Sequence, residues 1–175
     1  MADPTPSLST EFRRMMARWA TGVSVVTARG AGGDVGLTVN ALLSVTLDPP
    51  TLLISLTDSA DSTPVIEAAG HFAASFLAAG QRPLSERFAQ TLPSPEKFRD
   101  VATHRGTTGA PLLTGALGSV ECRVVNVFAV RDHHLIVGEV VAIHPGADGL
   151  PLLFYHRGYA SASGASAVNL PPPGG

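Results

Sequence analysis

Short β-branched runs separated by tight turns constrain the fold of this chain more than any other feature. Between residues 22 and 57 the sequence reads GVSVVTA, GLTVN, LLSVTLD and TLLISLT, broken by RGAGGD and by Pro49-Pro50. Parallel strands need long crossover connections, whereas antiparallel strands can be joined by a few residues. The sequence therefore predicts an antiparallel sheet or barrel.

The remaining segments extend this picture to a barrel of six or more strands with a few short helices. HFAASFLA, SVECRVVNVFAV and HHLIVGEVVAI are predicted strands, the last two joined around Arg131-Asp132, and PLLFYHRGYA is a last strand or turn. Residues 92–118 are expected to be irregular because they are rich in Pro, Gly and Thr.

Two helices can be placed from residue spacing and capping patterns. Phe12, Met15, Met16 and Trp19 recur at helical spacing, which predicts a helix ending by Gly22 with these side chains in the core rather than at a ligand. Thr63-Pro64 opens a second helix, with Thr63 as its N-cap and Gly70 after its end.

Length and composition suit one domain of a cytoplasmic protein. We expect a flexible arm over residues 1–7, one domain over 8–160 and a disordered Ala/Ser/Gly/Pro tail over 161–175. No signal peptide and no membrane-spanning apolar run of ~18 residues is visible. The single cysteine, Cys122, excludes an intrachain disulfide and is expected to be a buried, inert thiol.

The charges argue against a nucleic-acid binder. Net charge is −2 and no basic stripe is present. Lys97 is the only lysine among 12 basic residues. Any phosphate is therefore expected to be held by arginine, by hydroxyl groups or by backbone N–H groups.

A row of small polar side chains in residues 36–50 is the first candidate site. Thr38, Asn40, Ser44 and Thr46 occupy even positions, so they would share one face of a continuous strand. Such a row suits a flat polar heterocycle with a hydroxylated side chain. An ordinary solvent-facing row of Thr and Ser explains the same spacing.

The segment DSADSTP, residues 58–64, is the second candidate site. It joins a strand to a helix, where free N–H groups and the helix dipole favour phosphate, and Ser62 and Thr63 add hydroxyls. Plain capping of the helix by Thr63 explains the segment equally well.

The histidines do not form a metal motif. His133 and His134 are adjacent, so on a strand they point to opposite faces and cannot chelate one ion together. One of the two histidines could face a ligand; an ordinary solvent-facing position in a turn explains the pair equally well. The motifs G-x-S-x-G and G-x-G-x-x-G are absent, so any nicotinamide coenzyme must bind outside a Rossmann fold.

Six segments in a fixed order resemble the short-chain flavin reductase family, the reductase components of two-component flavin-dependent monooxygenases. They run from Phe12 to Ala160 and read FRRMMARWATGVSVVTA, GLTVNALLSVTLDPPTLLISL, STPVIEAAGHFAASFLA, GAPLLTGALGSVECRV, DHHLIVGEV and PLLFYHRGYA. The resemblance implies a mainly β fold, an antiparallel split β-barrel of Greek-key type that binds FMN or FAD at the interface of a homodimer.

The resemblance also implies the residues that bind each coenzyme. His133 would face the nicotinamide. Flavin contacts would come from the segment Thr38 to Thr46, from the phosphate-binding segment, from the strand FAASFLA and from the C-terminal segment. These residues are Thr38, Val39, Asn40, Ala41, Ser44, Val45, Thr46, Ser59, Asp61, Ser62, Thr63, Ser75, Phe76, His156, Arg157 and Tyr159.

Two positions depart from the family pattern. Arg131 stands where the Gly-Asp-His motif has glycine, and Ser75 stands where asparagine is frequent. The implied reaction is hydride transfer from NADH, with NADPH as the alternative, to a dissociable flavin that supplies a separate monooxygenase. NADH is favoured because no arginine cluster for a 2′-phosphate can be placed from the sequence.

Two other functions fit the same barrel. One is a non-catalytic flavin- or haem-binding carrier or sensor, favoured if Arg131 blocks the nicotinamide. The other is an oxidase of the pyridoxamine-phosphate type, which retains FMN and which the scarcity of basic residues near the candidate site disfavours.

Overall fold

A computed structural model describes residues 6–162 of the chain. Most of the expected arm, residues 1–7, and of the expected tail, residues 161–175, lies outside these residues. Ser161 belongs to the last strand.

Five helical segments and twelve strands make up the described chain. The helices are α1 (Leu8–Met16), α2 (Ser62–Ala69), α3 (Arg82–Phe88) and α4 (Ser94–Phe98), with a 3₁₀ turn at Ala79–Gln81. The strands are β1 (Thr21–Gly22), β2 (Ser24–Gly30), β3 (Gly33–Val39), β4 (Leu42–Leu47), β5 (Pro50–Thr57), β6 (His71–Phe76), β7 (Thr103–Arg105), β8 (Pro111–Leu113), β9 (Gly118–Val130), β10 (His133–Pro145), β11 (Leu152–Tyr155) and β12 (Gly158–Ser161).

Seven of the strands form one antiparallel sheet in the order β3-β2-β6-β9-β10-β5-β4. β3 and β4 are its two edges, yet Val39 and Leu42 lie within about 11 Å because only two residues separate them. If the seven-stranded sheet were flat, its two edge strands would lie about 29 Å apart. The sheet must therefore curl until its edges meet, which confirms the predicted split barrel and puts the seam at Asn40-Ala41.

The barrel interior is filled by a continuous apolar core. Val26, Ile54, Phe72 and Ile136 are fully buried there, and Ile66 of α2 packs against the same cluster. Cys122 lies in this core as a free thiol, and burial raises its pKa to about 12. The expectation of a buried thiol is confirmed, and its raised pKa makes it a poor nucleophile.

A second layer closes the barrel on the side of the seam. β1, β11 and β12 form a three-stranded sheet, which contributes Leu152 to a second apolar cluster with Val23, Leu77 and Phe88. The segment expected to be irregular, residues 92–118, contains α4 and the short β7–β8 pair. Its Pro and Gly content conceals these elements because each is only three to five residues long.

The first helix differs from prediction in a way that matters for function. The apolar face of α1 and the following turn is not in the core: Phe12, Met15 and Trp19 are 64%, 62% and 69% exposed. Helical spacing identifies a shared face without revealing what that face packs against.

No helix among residues 6–162 is long and apolar enough to cross a membrane.

Candidate functional site

Three adjoining cavities meet at the seam of the barrel, and Asn40 lines all three. Their volumes are about 580, 310 and 170 Å³. The largest shares Trp19, Thr21 and Leu42 with the second, and Phe154 with the third. We call this joined space the Asn40 cleft. It exists because β3 and β4 diverge at Asn40-Ala41, where no ladder closes the barrel.

Apolar walls and few polar groups characterise the Asn40 cleft. Trp19, Leu53 and Phe154 supply large apolar surfaces to the main cavity. Thr21 lies between the two larger cavities, and its buried Oγ1 has no hydrogen-bond partner among the described residues. A mostly apolar cleft with a few convergent polar groups is typical of a small-molecule site, and a flat aromatic ring fits it.

The predicted polar row is divided between the two edge strands. Thr38 lies near the end of β3, where its hydroxyl donates to the Ser85 carbonyl at 2.7 Å. Val39, the last residue of β3, is buried in the barrel core. Asn40 and Ala41 line the main cavity. The expectation that one continuous strand presents Thr38, Asn40, Ser44 and Thr46 on one face is therefore wrong, because the chain leaves one edge of the sheet and enters the other.

The later part of that row lies in β4 and is exposed. Ser44, Val45 and Thr46 are exposed at the sheet edge and do not line the three cavities. The Thr46 hydroxyl donates to the carbonyl of Pro49. Their contact with a flavin stays a prediction.

The predicted phosphate segment combines buried and exposed hydroxyls. Ser62 and Thr63 are buried, and the Thr63 hydroxyl donates to the carbonyl of Thr57 at 2.9 Å. Ser59 and Asp61 are exposed. Thr63 is not the N-cap as expected, because the helix starts two residues earlier, at Ser62, with Asp61 in the cap position. Gly70 ends the helix in the left-handed conformation, at φ 69°.

The two predicted residues of β6 differ in position. Phe76 lines the second cavity. Ser75 is fully buried, and its hydroxyl accepts hydrogen bonds from the backbone N–H of Leu113 and from the hydroxyl of Ser119. In this structure Ser75 therefore joins strands inside the fold and does not line the Asn40 cleft.

His133 lies at the start of β10, on the outer face of the sheet. Its strand pairs with β5, so that His133 faces Thr57 and Leu135 faces Ser55. Residues opposite one another share a face, and Ser55 lines the main cavity. His133 is therefore about 7 Å along the strand from the cleft wall, on the correct side of the sheet.

The turn before His133 accommodates its unusual residue. Arg131 adopts a left-handed backbone with φ 59°, the conformation that a glycine would take there. The exposed Asp132 carboxylate is 2.9 Å from Nδ1 of His133, and this hydrogen bond lowers the pKa of Asp132. Arginine in the glycine position thus preserves the turn.

His134 points to the opposite face and ties the hairpin to α2. Its ring bonds to the carboxylate of Glu67 and lies 3.2 Å from that of Asp58. The Glu67 hydrogen bond raises the pKa of His134, and the Asp58 charge acts in the same direction. Among residues 6–162, no three His, Cys, Asp or Glu side chains cluster as metal ligands would.

The C-terminal residues occupy the other side of the cleft. Arg157 lines the main cavity, and Tyr159 lines the smallest one while its hydroxyl bonds to that of Ser85 at 2.9 Å. His156 borders a neighbouring basic cavity. Trp19 and Thr21 line the cleft but are not predicted as wall residues. The signal for Trp19 is the apolar face it shares with Phe12, Met15 and Met16, which is assigned to the core, whereas no sequence pattern marks Thr21.

Comparisons with known proteins agree with this geometry. The family model described as flavin reductase like domain matches residues 16–163. The FMN reductase (NADH) RutF of Stutzerimonas stutzeri is 36% identical, over 90% of this chain and 91% of that protein. The reductase component of 4-hydroxyphenylacetate 3-monooxygenase from Thermus thermophilus is 35% identical, over 85% and 93%.

A solved structure matches as well. Nitrilotriacetate monooxygenase component B from Mycobacterium thermoresistibile superposes with a TM-score of 0.86 at 28% identity, covering 94% of this chain and 93% of that one. Both the sequence and the fold therefore match over nearly the whole described chain, and the chain belongs to the family of flavin reductase-like domains.

Proposed function

We propose that this chain is an NADH-dependent flavin reductase whose flavin lies in the Asn40 cleft. The observation that carries the proposal is the apolar-walled cleft at the seam, lined by the two residues of the predicted flavin segment that lie between the edge strands, Asn40 and Ala41. The relatives named FMN reductase (NADH) and monooxygenase reductase component support the reaction.

The chain's residues bind and orient, while the coenzymes carry the chemistry. A bound flavin supplies the acceptor for a hydride from a reduced nicotinamide. The amide of Asn40 and the hydroxyl of Thr21 offer hydrogen bonds to the polar edge of a ring, and Trp19 and Phe154 pack on its apolar surface. His133 positions the nicotinamide from the outer face of the sheet, and no side chain is required as an acid or base.

The phosphate end of the flavin is assigned to the segment before α2. Ser59 and Asp61 are exposed there, and backbone N–H groups at a helix start favour phosphate. The Asn40 cleft and this segment lie at the same end of the β4–β5 hairpin, because the Ala41 carbonyl bonds to Ser55 and residues 58–61 directly follow Thr57. Ser44, Val45 and Thr46 follow along β4 from the cleft toward the turn at Asp48-Pro49.

A homodimer and a partner monooxygenase complete the proposal. Exposed apolar side chains cover the outer face around the cleft, among them Leu43, Phe128 and Val130 at 59%, 53% and 48% exposure. A monomer rarely exposes such a surface, so a second copy is proposed to cover it and enclose the flavin. Reduced flavin then leaves for a separate oxygenase in the cytoplasm.

A coupled spectroscopic assay tests the proposed activity. NADH oxidation, followed at its near-ultraviolet absorbance, is expected only when FMN or FAD is added to the purified protein. If no NADH or NADPH is oxidised when FMN or FAD is added, the reductase function is refuted. Tight flavin binding without turnover would instead identify a carrier.

A further inference from the structure

Ser85 of α3 bonds to both sides of the smallest cavity in the Asn40 cleft. One side is the end of β3, with Thr38 and Asn40, and the other is the β11–β12 pair, with Phe154 and Tyr159. The Ser85 carbonyl accepts a hydrogen bond from the Thr38 hydroxyl at 2.7 Å, and the Ser85 hydroxyl bonds to that of Tyr159 at 2.9 Å. We call these two bonds the Ser85 link. Because β3 and β12 belong to different sheets, the link joins elements that strand pairing does not.

The Ser85 link starts from a fixed position on the barrel. Phe88, one turn after Ser85, is buried over Gly36 of β3, where an added Cβ would come within 2.8 Å of the Phe88 ring. Glycine permits this close approach because it has no Cβ. Ser85 is fully buried as well, so a hydroxyl without a partner there would cost free energy. Packing against β3 therefore holds the Ser85 hydroxyl in place, and Tyr159 binds to it.

Tyr159 carries the Ser85 link to the wall of the main cavity. It lies directly opposite Phe154 in the β11–β12 pair, and the two rings meet edge to face with centroids 5.7 Å apart. Phe154 lines both the smallest and the main cavity. The guanidinium of Arg82, also in α3, lies 5.4 Å from the centre of the Tyr159 ring, within reach of a cation–π attraction. The helix thus holds Tyr159 at its hydroxyl and at its ring face, and Tyr159 supports the Phe154 ring.

The strand that bears Tyr159 depends on this support more than its neighbour does. Within residues 6–162, β12 is the outer strand of its three-stranded sheet and pairs with β11 alone. β11 is also held by backbone hydrogen bonds that join Leu152 to Val23 and to Leu77, at 3.1 and 2.9 Å. The Tyr159 side chain therefore joins the edge of this sheet to the barrel.

We propose that Ser85 is a positioning residue for the flavin, which acts through Tyr159 to hold the two walls of the Asn40 cleft at a fixed separation. Ser85 lines none of the three cavities of the cleft, so its effect reaches the flavin through Tyr159 and Phe154. A site whose walls are held in place before binding loses less conformational freedom when the ligand enters. The Ser85 link therefore raises the affinity for the flavin ring. This inference rests on the proposed reductase function.

A double-mutant cycle on FMN binding tests the proposal. Ser85→Ala removes the hydroxyl and keeps the carbonyl that accepts from Thr38, whereas Tyr159→Phe removes the other hydroxyl and keeps the ring on Phe154. The Kd for FMN is measured from the change in flavin fluorescence on binding. Each single variant is expected to weaken FMN binding about fivefold, as the loss of one buried hydrogen bond predicts. The double variant should also lose about fivefold, because both changes break the same bond.

A buried hydroxyl far from the cleft provides the matched control. Thr27 is fully buried, its hydroxyl donates to the Pro111 carbonyl at 2.6 Å, and it lines none of the three cavities. Thr27→Val is expected to lower the thermal midpoint and to leave the Kd for FMN unchanged. If Thr27→Val weakens FMN binding as much as Ser85→Ala does, the effect is one of general stability and the proposal is overturned.

Two further results would overturn the proposal. The first is an unchanged Kd for FMN in Ser85→Ala. The second is an additive loss in the double variant, about 25-fold, because Tyr159 would then act on the flavin independently of Ser85. If the variants do not fold, amide hydrogen exchange of the wild type replaces them. FMN must then slow exchange in α3 together with β12, and slowing in β12 alone contradicts the proposal.

The same experiment separates this inference from the proposed function. Wild-type FMN binding and NADH turnover, alongside unchanged variant affinities, would refute the Ser85 link and leave the reductase function intact. If the wild type binds neither FMN nor FAD, the reductase function and the inference both fail.

Discussion

At Asn40 the main chain leaves one edge of the barrel and enters the other two residues later. The position makes this side chain border three cavities at once, while its neighbour Val39 is buried in the core. Residue type alone does not distinguish Asn40 from Thr38, Ser44 and Thr46, which alternate with it. Only the path of the backbone gives Asn40 this position. Thr38 borders just the smallest cavity, with its hydroxyl bonded to the Ser85 carbonyl, and the Thr46 hydroxyl bonds to the Pro49 carbonyl outside the cleft.

His133→Ala should weaken the nicotinamide site more than the flavin site. We expect the KM for NADH to rise about fivefold, corresponding to about 1 kcal/mol of lost binding, with a smaller change in the KM for flavin. Steady-state kinetics with each substrate varied in turn provides the measurement. His104→Ala, at an exposed position on β7, is the control. A larger effect on flavin than on NADH would remove His133 from the nicotinamide site.

At the scale of single elements, the β9–β10 hairpin links the proposed nicotinamide site to α2. The two adjacent histidines have different contacts: His133 faces outward, and His134 bonds to Glu67 of α2. The sequence predicts the opposite orientations, because side chains alternate along a strand. It does not predict the partner of His134, because Glu67 lies 67 residues away and meets it only through tertiary folding.

The link between His134 and Glu67 should make stability depend on pH. The folded pKa of His134 is raised, so its stabilising contribution is complete below the ordinary histidine value of 6.5 and is lost as pH rises through the raised value. The thermal midpoint of Glu67→Gln should therefore lie below that of wild type near pH 6, with the gap closing towards about pH 9. Thermal unfolding across this range is the measurement.

A second glutamate provides the control for that experiment. Glu139 pairs with Arg123 at 3.0 Å, and arginine stays charged throughout the range. The gap between wild type and Glu139→Gln should not change with pH. A gap for Glu67→Gln that is equally constant would show that His134 does not titrate against Glu67.

The helix α1 shows where element-level reasoning reaches its limit. Spacing correctly predicts a helix with Phe12, Met15 and Met16 on one face, but the expected packing against the chain's own core is wrong. A stripe of apolar residues looks the same whether it covers a core, a ligand cleft or a second subunit. Met16, and Trp19 in the turn that follows, instead border the Asn40 cleft, and Arg13 and Arg14 of the helix border the neighbouring basic cavity.

At the scale of the whole molecule, the order of the strands determines where a ligand can bind. Local patterns suffice to predict antiparallel strands, because β-branched runs mark the strands and tight turns encode the hairpins β2–β3, β4–β5 and β9–β10. They do not predict that β3 and β4, consecutive in the chain, form opposite edges of one sheet. The seam, the Asn40 cleft and the convergence of Arg157 with α1 all follow from that long-range closure.

A crystal structure of the protein with bound FAD or FMN would test the assignment of the flavin to the Asn40 cleft. We expect an isoalloxazine ring in van der Waals contact with Asn40, Ala41 and Trp19, enclosed by a second copy of the chain at the outer face that carries Leu43 and Phe128. A ring bound away from the Asn40 cleft, or no bound flavin at saturating concentration, would contradict it.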